Sequence, residues 1–170
     1  MIHNGNEKTD IALIANNYII SPCTLAIVPQ RAMTHDTIVY EKDRTIRVKQ
    51  TPLQIIKASC IEHGATYEGR RQSSCHLLHL TQKVPIVIKE KPMIYTFPSQ
   101  SPNNFSTSWL FPRHISTITI ESNKTNQQTT ITFHNKKQIH LQESTYQLKQ
   151  QCIKTIALHY AIKASSDIIS

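Results

Sequence analysis

Residues 115–141 read ISTITIESNKTNQQTTITFHNKKQIHL, and this stretch indicates the fold class. Three short runs within it, at about 115–121, 129–134 and 138–141, carry apolar residues at alternate positions. Side chains two residues apart lie on the same face of a β-strand, so each run has one apolar face. The runs therefore predict a three-stranded meander whose buried face is formed by Ile118 with Ile120, Ile131 with Phe133, and Ile139 with Leu141.

Similar runs rich in β-branched residues precede the meander. They predict strands at about 18–20, 24–28, 37–40, 45–49, 75–80, 84–88 and 93–97, and the polar tetrad 41–44 joins two of these as a hairpin. The whole chain has 24 Ile and 18 Thr against 9 Ala and 3 Gly, a composition that favours pleated sheet over helix. We expect a mainly antiparallel β-structure.

Two segments carry helix signals. Thr51, Pro52 and Gln54 form an N-cap, a first-turn proline and a capping box, and Gly64 supplies a stop, which predicts a helix at 52–63. Ser144 begins a second capping box and predicts a helix at about 145–163. The predicted fold class is therefore α+β, with meanders and hairpins of antiparallel strands and these two helices.

The second predicted helix is apolar on two sides. One stripe contains Tyr146, Cys152, Ile153, Ile156 and Tyr160, while Leu158 and Ile162 lie nearly opposite. A helix of this kind needs two partners, which are either two parts of its own domain or its domain and another subunit. Leu158 and Ile162 are thus candidate residues for an oligomer interface.

Length and composition favour one globular domain. Of 170 residues, 39% are apolar and 18% are charged, which is enough for a core without metals or disulfides. We expect a loosely ordered segment at 1–15 and a single domain at 16–170 that ends in the second helix. There is no apolar run of membrane-spanning length and no signal-peptide pattern, so a cytoplasmic location is expected. The four cysteines show no paired spacing.

The basic charge is confined to one part of the chain. Residues 1–69 contain seven Lys and Arg against seven Asp and Glu, whereas residues 70–170 contain twelve against four. Such one-sided charge attracts polyanions, of which nucleic acid is the most common in a cytosol. An acidic protein partner is the alternative, in which case the chain is a non-enzymatic interaction module.

Metal and catalytic sites are weakly indicated. Cys60, His63, Cys75, His76 and His79 could suggest zinc, but His76 and His79 on the predicted strand would face opposite ways. There is no phosphate-binding glycine loop and no nucleophile elbow. We therefore predict neither a metal, nor a cofactor, nor enzymatic activity.

Nucleic-acid binding fits the charge, although not through a helix-turn-helix, because about eighty residues separate the two predicted helices. Lys149, Lys154 and Lys163 do not share a face of the second helix. Loops and strand ends must therefore make the contacts. Two adjacent arginines after Gly69 could insert into a narrow minor groove. The predicted DNA-binding residues are Arg70, Arg71, Arg113, His114, Lys124, Lys136 and Lys137.

Between about residues 25 and 160 the order of landmarks resembles the ComK family of competence transcription factors. The densest part is Pro52-Leu53-Gln54-Ile55 followed by Gly64, Tyr67 and Gly69-Arg70. Further matches are Pro85-Ile86-Val87, Phe97-Pro98, Trp109, His114, Thr132-Phe133, Asn135, Lys137 and Ser144-Thr145-Tyr146.

The resemblance implies a transcription activator of bacterial genetic competence. It implies binding to paired A/T-rich promoter boxes through the minor groove, as a homodimer or a dimer of dimers, and RNA polymerase as a further partner. The best-known members of the family continue into a C-terminal tail that an adaptor of the Clp protease recognises. Since this sequence stops at Ser170, control through that tail is not expected here.

Overall fold

The computed structural model describes residues 14–121 and 128–169. In that part of the chain the fold is α+β, as the sequence predicts, with ten strands, three α-helices and one 3₁₀ helix. The first half contains β1 (Ile14–Ala15), β2 (Thr24–Pro29), β3 (Thr37–Glu41), β4 (Thr45–Val48), α1 (Pro52–Glu62), α2 (Tyr67–Leu78) and β5 (Ile86–Glu90). The second half contains β6 (Met93–Pro98), β7 (Trp109–Leu110), the 3₁₀ helix (Pro112–His114), β8 (Ile115–Ile120), β9 (Thr129–Phe133), β10 (Gln138–Leu141) and α3 (Thr145–Ile169).

The strands form two sheets. Seven strands follow the order β1-β4-β3-β2-β7-β6-β5, and only the β1–β4 pair among them is parallel. The second sheet, β10-β9-β8, is the predicted meander. Its middle row pairs Ile118 with Ile131 and Ile131 with Ile139, and all three side chains are buried. Ile120 is the exception on this face, with 57% of its surface exposed.

Two cores lie on opposite faces of the large sheet. On one face, α1 contributes Ile55, Ile56 and Cys60 against strand residues such as Val39 and Ile27. On the other face, the three-stranded sheet and α3 cover Leu25, Phe97 and Leu110, and contribute Ile131, Phe133 and Leu148. The large sheet is therefore an inner layer, and the three-stranded sheet is an outer layer whose second face is open to solvent.

The predicted first helix is confirmed. It runs from Pro52 to Glu62, with both bonds of the capping box formed between Thr51 and Gln54. Gly64 follows at φ 83°, in the left-handed region that glycine adopts without strain. Local sequence is sufficient to define this helix because its start, stop and buried face all agree.

A second helix, α2, replaces the loop and strand that the sequence predicts between residues 65 and 80. Thr66 caps it by accepting a hydrogen bond from the Gly69 amide at 3.0 Å. Only Tyr67 and Ser74 of α2 are buried, so the helix has almost no apolar periodicity to recognise. Contacts with α1, α3 and β5 hold it in place.

The segment predicted as a first strand, 18–20, is extended but unpaired. Its amides bond to side chains, Tyr18 to Gln50 at 2.9 Å and Ile20 to Ser59 at 3.0 Å. The expectation of loose order at 1–15 lies outside the described residues except for Ile14–Ala15, which pair with β4 as β1.

The C-terminal helix is oriented opposite to the prediction. Its buried residues are Leu148, Gln151, Thr155 and Leu158, while Tyr146, Ile153, Ile156 and Tyr160 are 46–72% exposed. Gln151 can be buried because its amide nitrogen donates to the carbonyls of Lys83 and Pro98. Since polar residues occupy the inner face, apolar periodicity identifies the wrong side. No helix of the described chain has the length and apolarity needed to cross a membrane.

Candidate nucleic-acid interface

Three segments that are distant in sequence meet at one surface. They are the β3–β4 turn, the 3₁₀ helix before β8, and the β9–β10 hairpin tip. The His134 amide donates to the His114 carbonyl at 3.0 Å, and the Asn135 side chain donates to the Lys42 carbonyl at 2.9 Å. We call the five cations that these segments carry the basic cluster: Lys42, Arg44, Arg113, Lys136 and Lys137.

The hairpin tip is a tight turn built by its own sequence. Asn135 accepts a hydrogen bond from the Lys137 amide at 3.0 Å, and Phe133 exchanges backbone bonds with Lys136 and Lys137. Lys136 has φ 73°, a left-handed conformation that is costly for a side chain with a Cβ atom. This turn places Lys136 at the exposed end of the hairpin.

Lys137 connects the tip to the β3–β4 turn. Its ammonium donates to the carbonyls of Glu41 and Arg44 at 2.9 and 3.2 Å. Lys137 is therefore partly committed to holding the cluster together, whereas Lys42, Arg44, Arg113 and Lys136 are exposed. Arg44 is exposed but pairs with Glu41, so Lys42, Arg113 and Lys136 have the side chains that can reach a polyanion.

Glu41 is buried beneath the cluster and orients it. Its carboxylate accepts hydrogen bonds from the Tyr18 hydroxyl at 2.6 Å and from the Arg44 guanidinium. Burial alone would raise the pKa of Glu41, but the bonds from Arg44 and Tyr18 and the charge of Lys137 lower it below its usual value. Burial and the nearby Glu41 carboxylate raise the pKa of Tyr18. Glu41 is therefore ionised and satisfied internally.

His114 belongs to this surface but does not add a positive charge at neutral pH. Its Nε2 lies 2.9 Å from the Pro22 carbonyl oxygen, which can only accept. Burial lowers the pKa of His114, and the neighbouring charges of Lys42 and Arg113 lower it further. Neutral His114 thus donates to Pro22 and anchors the 3₁₀ helix.

The structure brings together four of the seven residues that the sequence predicts for DNA binding, namely Arg113, His114, Lys136 and Lys137. Lys124 lies outside the described residues. Sequence reasoning missed Lys42 and Arg44, because their tetrad also contains Glu41 and Asp43 and has no net charge. Their position in a turn between two predicted strands is the sequence feature that could have identified them, because a turn leaves its side chains open to solvent.

Arg70 and Arg71 lie on α2 and not in the predicted loop. Arg70 is mostly buried, with 17% of its side chain exposed, and its guanidinium bonds to the Glu90 carboxylate at 2.7 Å. Arg71 is exposed and donates to the Thr81 carbonyl at 2.9 Å. An arginine held by an ion pair cannot insert into a groove as a free loop residue, so the predicted loop insertion is wrong for Arg70.

The prediction that about eighty residues separate the first two helices is wrong, so it does not exclude a helix-turn-helix. Four residues, 63–66, separate α1 from α2, which is the spacing of that motif. The exposed residues of α2 are mostly uncharged, however, and include Gln72, Ser73 and His76. The largest group of exposed cations described above lies on turns and a hairpin tip.

The predicted oligomer interface is corrected. Leu158 is fully buried within its own domain and Ile162 is half-buried, so Leu158 is unable to contact another subunit. The exposed apolar stripe of α3 is the opposite one, formed by Tyr146, Ile153, Ile156 and Tyr160. We call these four residues the α3 stripe.

Two of the histidines considered for zinc, His76 and His79, do not lie on the predicted strand. His76 lies within α2, and His79 ends that helix in a left-handed conformation, so neither is on a strand. Among residues 14–121 and 128–169, no three His, Cys, Asp or Glu side chains come together as metal ligands could.

Fold and surface together define a small α+β protein with a basic face built from turns. The family model described as ComK protein matches residues 15–167, and the chain belongs to the ComK family. A relative named competence transcription factor, from Bacillus subtilis (strain 168), is 28% identical over 151 residues. That alignment covers 88% of this chain and 76% of the relative. No solved structure gave a significant match.

Proposed function

We propose that this chain is a non-enzymatic transcription activator of genetic competence. It binds paired A/T-rich boxes of double-stranded DNA through the minor groove, as an oligomer. Membership of the ComK family and the name of the Bacillus relative support the transcriptional role. The observation that carries DNA binding is the basic cluster, where three segments are joined by hydrogen bonds and four cations remain exposed.

The form of the cluster favours the minor groove. A basic helix face would favour the major groove, but Arg70 of α2 is paired with Glu90 and the three lysines of α3 do not share one face. Arg113 instead lies exposed in the short 3₁₀ turn before β8. An arginine side chain of this kind suits a minor groove in A/T-rich DNA, where the negative potential is enhanced.

A second copy of this chain is the occupant that we propose for the α3 stripe. Tyr146, Ile153 and Tyr160 recur every seven residues, and Ile156 lies between the last two, which gives a short apolar seam flanked by Lys149 and Lys163. All four stripe residues lack a formal charge at neutral pH and are 46–72% exposed. Two copies joined here would present two basic clusters, which matches a target made of paired boxes.

Base replacement in a two-box duplex tests the proposal. Replacing A·T pairs by inosine·C keeps the minor-groove pattern and changes the major groove, whereas G·C adds an amino group to the minor groove. We expect binding to survive inosine·C and to lose roughly 1–3 kcal/mol per G·C pair. Equal loss with both replacements would place the contact in the major groove.

A salt series on the same duplexes distinguishes DNA from an acidic protein partner. A DNA activator should show a steep salt dependence together with the A/T preference. If polyglutamate displaces the protein as readily as duplex DNA does, and G·C-rich DNA binds as tightly as the boxes, the basic cluster serves an acidic protein and the proposed function is wrong.

A further inference from the structure

The outer face of the three-stranded sheet carries a regular array of uncharged polar side chains. They are Thr117 and Thr119 on β8, Thr130 and Thr132 on β9, and Gln138 and His140 on β10. Strand register arranges them in two rows. Thr132 lies opposite both Thr117 and Gln138, and Thr130 lies opposite both Thr119 and His140.

The composition of this face is unusual for a solvent-facing sheet. Surfaces of soluble domains carry roughly one charged residue in three or four positions, but none of these six is Lys, Arg, Asp or Glu. Five of the six are exposed or half-exposed, and Thr130 is nearly covered. The face therefore offers hydroxyl, amide and imidazole groups without the charges that would serve solubility alone.

Hydrogen bonds within the rows orient the side chains and leave capacity for a ligand. The Gln138 amide donates to the Thr132 hydroxyl at 3.2 Å, and Thr130 and His140 lie 3.0 Å apart. The Thr132 hydroxyl can still donate, and so can the second hydrogen of the Gln138 amide. Minor-groove edges of A·T pairs present only acceptors, so such donors are complementary to them.

One of the two rows lies next to the basic cluster. We call it the reading row, and it contains Thr117, Thr132 and Gln138. Two residues beyond Thr132, β9 leads through His134 into the hairpin tip with Lys136. On β8, Thr117 follows shortly after the 3₁₀ helix that carries Arg113. The cluster thus borders the outer face at the end where the reading row lies.

We propose that the reading row contacts base edges in the minor groove while the basic cluster holds one bordering phosphate strand. This inference rests on the proposed function and adds residues for specificity. Three strands span roughly 10 Å, so a groove that crosses the strands places the row along about three base pairs. The donors of Thr132 and Gln138 face A·T acceptors, and the amino group of guanine opposes them.

The test is a double variant, Thr132→Val with Gln138→Ala, measured on the A/T boxes and on G·C-substituted boxes. We expect the preference for A/T boxes to fall about five- to tenfold, because two donors are lost. The salt slope should stay unchanged, because no charge is removed. Thr119→Val is the matched control, since it removes a hydroxyl from the same face but from the other row.

The outcomes separate the two ideas. A double variant that retains the full A/T preference overturns the reading row, and so does an equal loss in Thr119→Val. If the unchanged protein shows no A/T preference, the proposed function itself fails. Valine suits an exposed strand position, and the thermal transition and circular dichroism of each variant confirm that it folds. If the double variant is unstable, Thr117→Val provides the same comparison within the row.

Discussion

Lys136→Gly separates the role of the hairpin tip in DNA binding from its role in folding. Lys136 has φ 73°, which costs an L-residue roughly 1–2 kcal/mol, whereas glycine adopts it freely. Glycine loses more backbone entropy on folding, by roughly 0.5–1 kcal/mol. The substitution should therefore leave the free energy of unfolding unchanged or raise it by up to about 1.5 kcal/mol.

The same substitution removes one exposed cation of the basic cluster. Each phosphate contact contributes about 0.9 to the slope of log K against log salt. We expect the slope to fall by about 0.9 for each bound copy, and the affinity at 0.1 M salt to fall about eightfold. Fluorescence anisotropy with a labelled two-box duplex, over a salt series, measures both quantities, and thermal unfolding measures stability.

Lys49→Ala is the matched control, because Lys49 is exposed after β4, at the end away from the β3–β4 turn and outside both the cluster and the α3 stripe, and its loss changes the net charge equally. Its salt slope should match that of the unchanged protein. If both variants weaken binding equally, DNA is attracted by the total charge of the protein, and the basic cluster is not its contact site. A lower thermal transition in Lys136→Gly would refute the account of the turn.

Glu41→Gln should lower the free energy of unfolding at pH 7 by about 1–3 kcal/mol, because the buried bonds from Tyr18 and Arg44 lose their ionised acceptor. Because the pKa of Glu41 is lowered in the folded protein, its stabilising contribution is present above the unfolded pKa and is lost as pH falls through the folded pKa. In urea unfolding at decreasing pH, the free energies of unfolding of the two proteins should therefore converge. A difference that stays constant with pH would contradict this. Ile153→Asp should abolish self-association in light scattering and keep the helical circular dichroism, because Ile153 is 58% exposed. Leu158→Asp should instead unfold the domain, and an unchanged oligomer in Ile153→Asp would reject the α3 stripe.

Elements whose signals are local can be predicted from the amino-acid sequence alone. The capping box of Thr51 and Gln54 and the stop at Gly64 lie within fourteen residues, and they define α1 almost to the residue. The meander can be predicted in the same way, because apolar residues at alternate positions of a strand lie on one face and identify the buried side. Arg113, His114, Lys136 and Lys137, which the structure places at one surface, belong to turns at the ends of the meander strands.

Which helix faces are buried depends on contacts between elements that are distant in sequence. α2 carries almost no apolar pattern and exists because α1, α3 and β5 surround it. On α3, Gln151 and Thr155 occupy the inner face because partners for their hydrogen bonds lie there, and these partners are distant in sequence for Gln151. The spacing of apolar residues carries no information about such hydrogen-bond partners, so it predicts burial of the outer stripe of α3 instead of its inner face.

The basic cluster depends on tertiary structure for the same reason. Lys42 and Asn135 are 93 residues apart and meet through one hydrogen bond, and Lys137 reaches two carbonyls of the β3–β4 turn. The charge count located the excess of Lys and Arg in residues 70–170, but it could not assign Lys42 and Arg44 to the same surface. Charges act through space, and their distances are set only when the sheets are folded together.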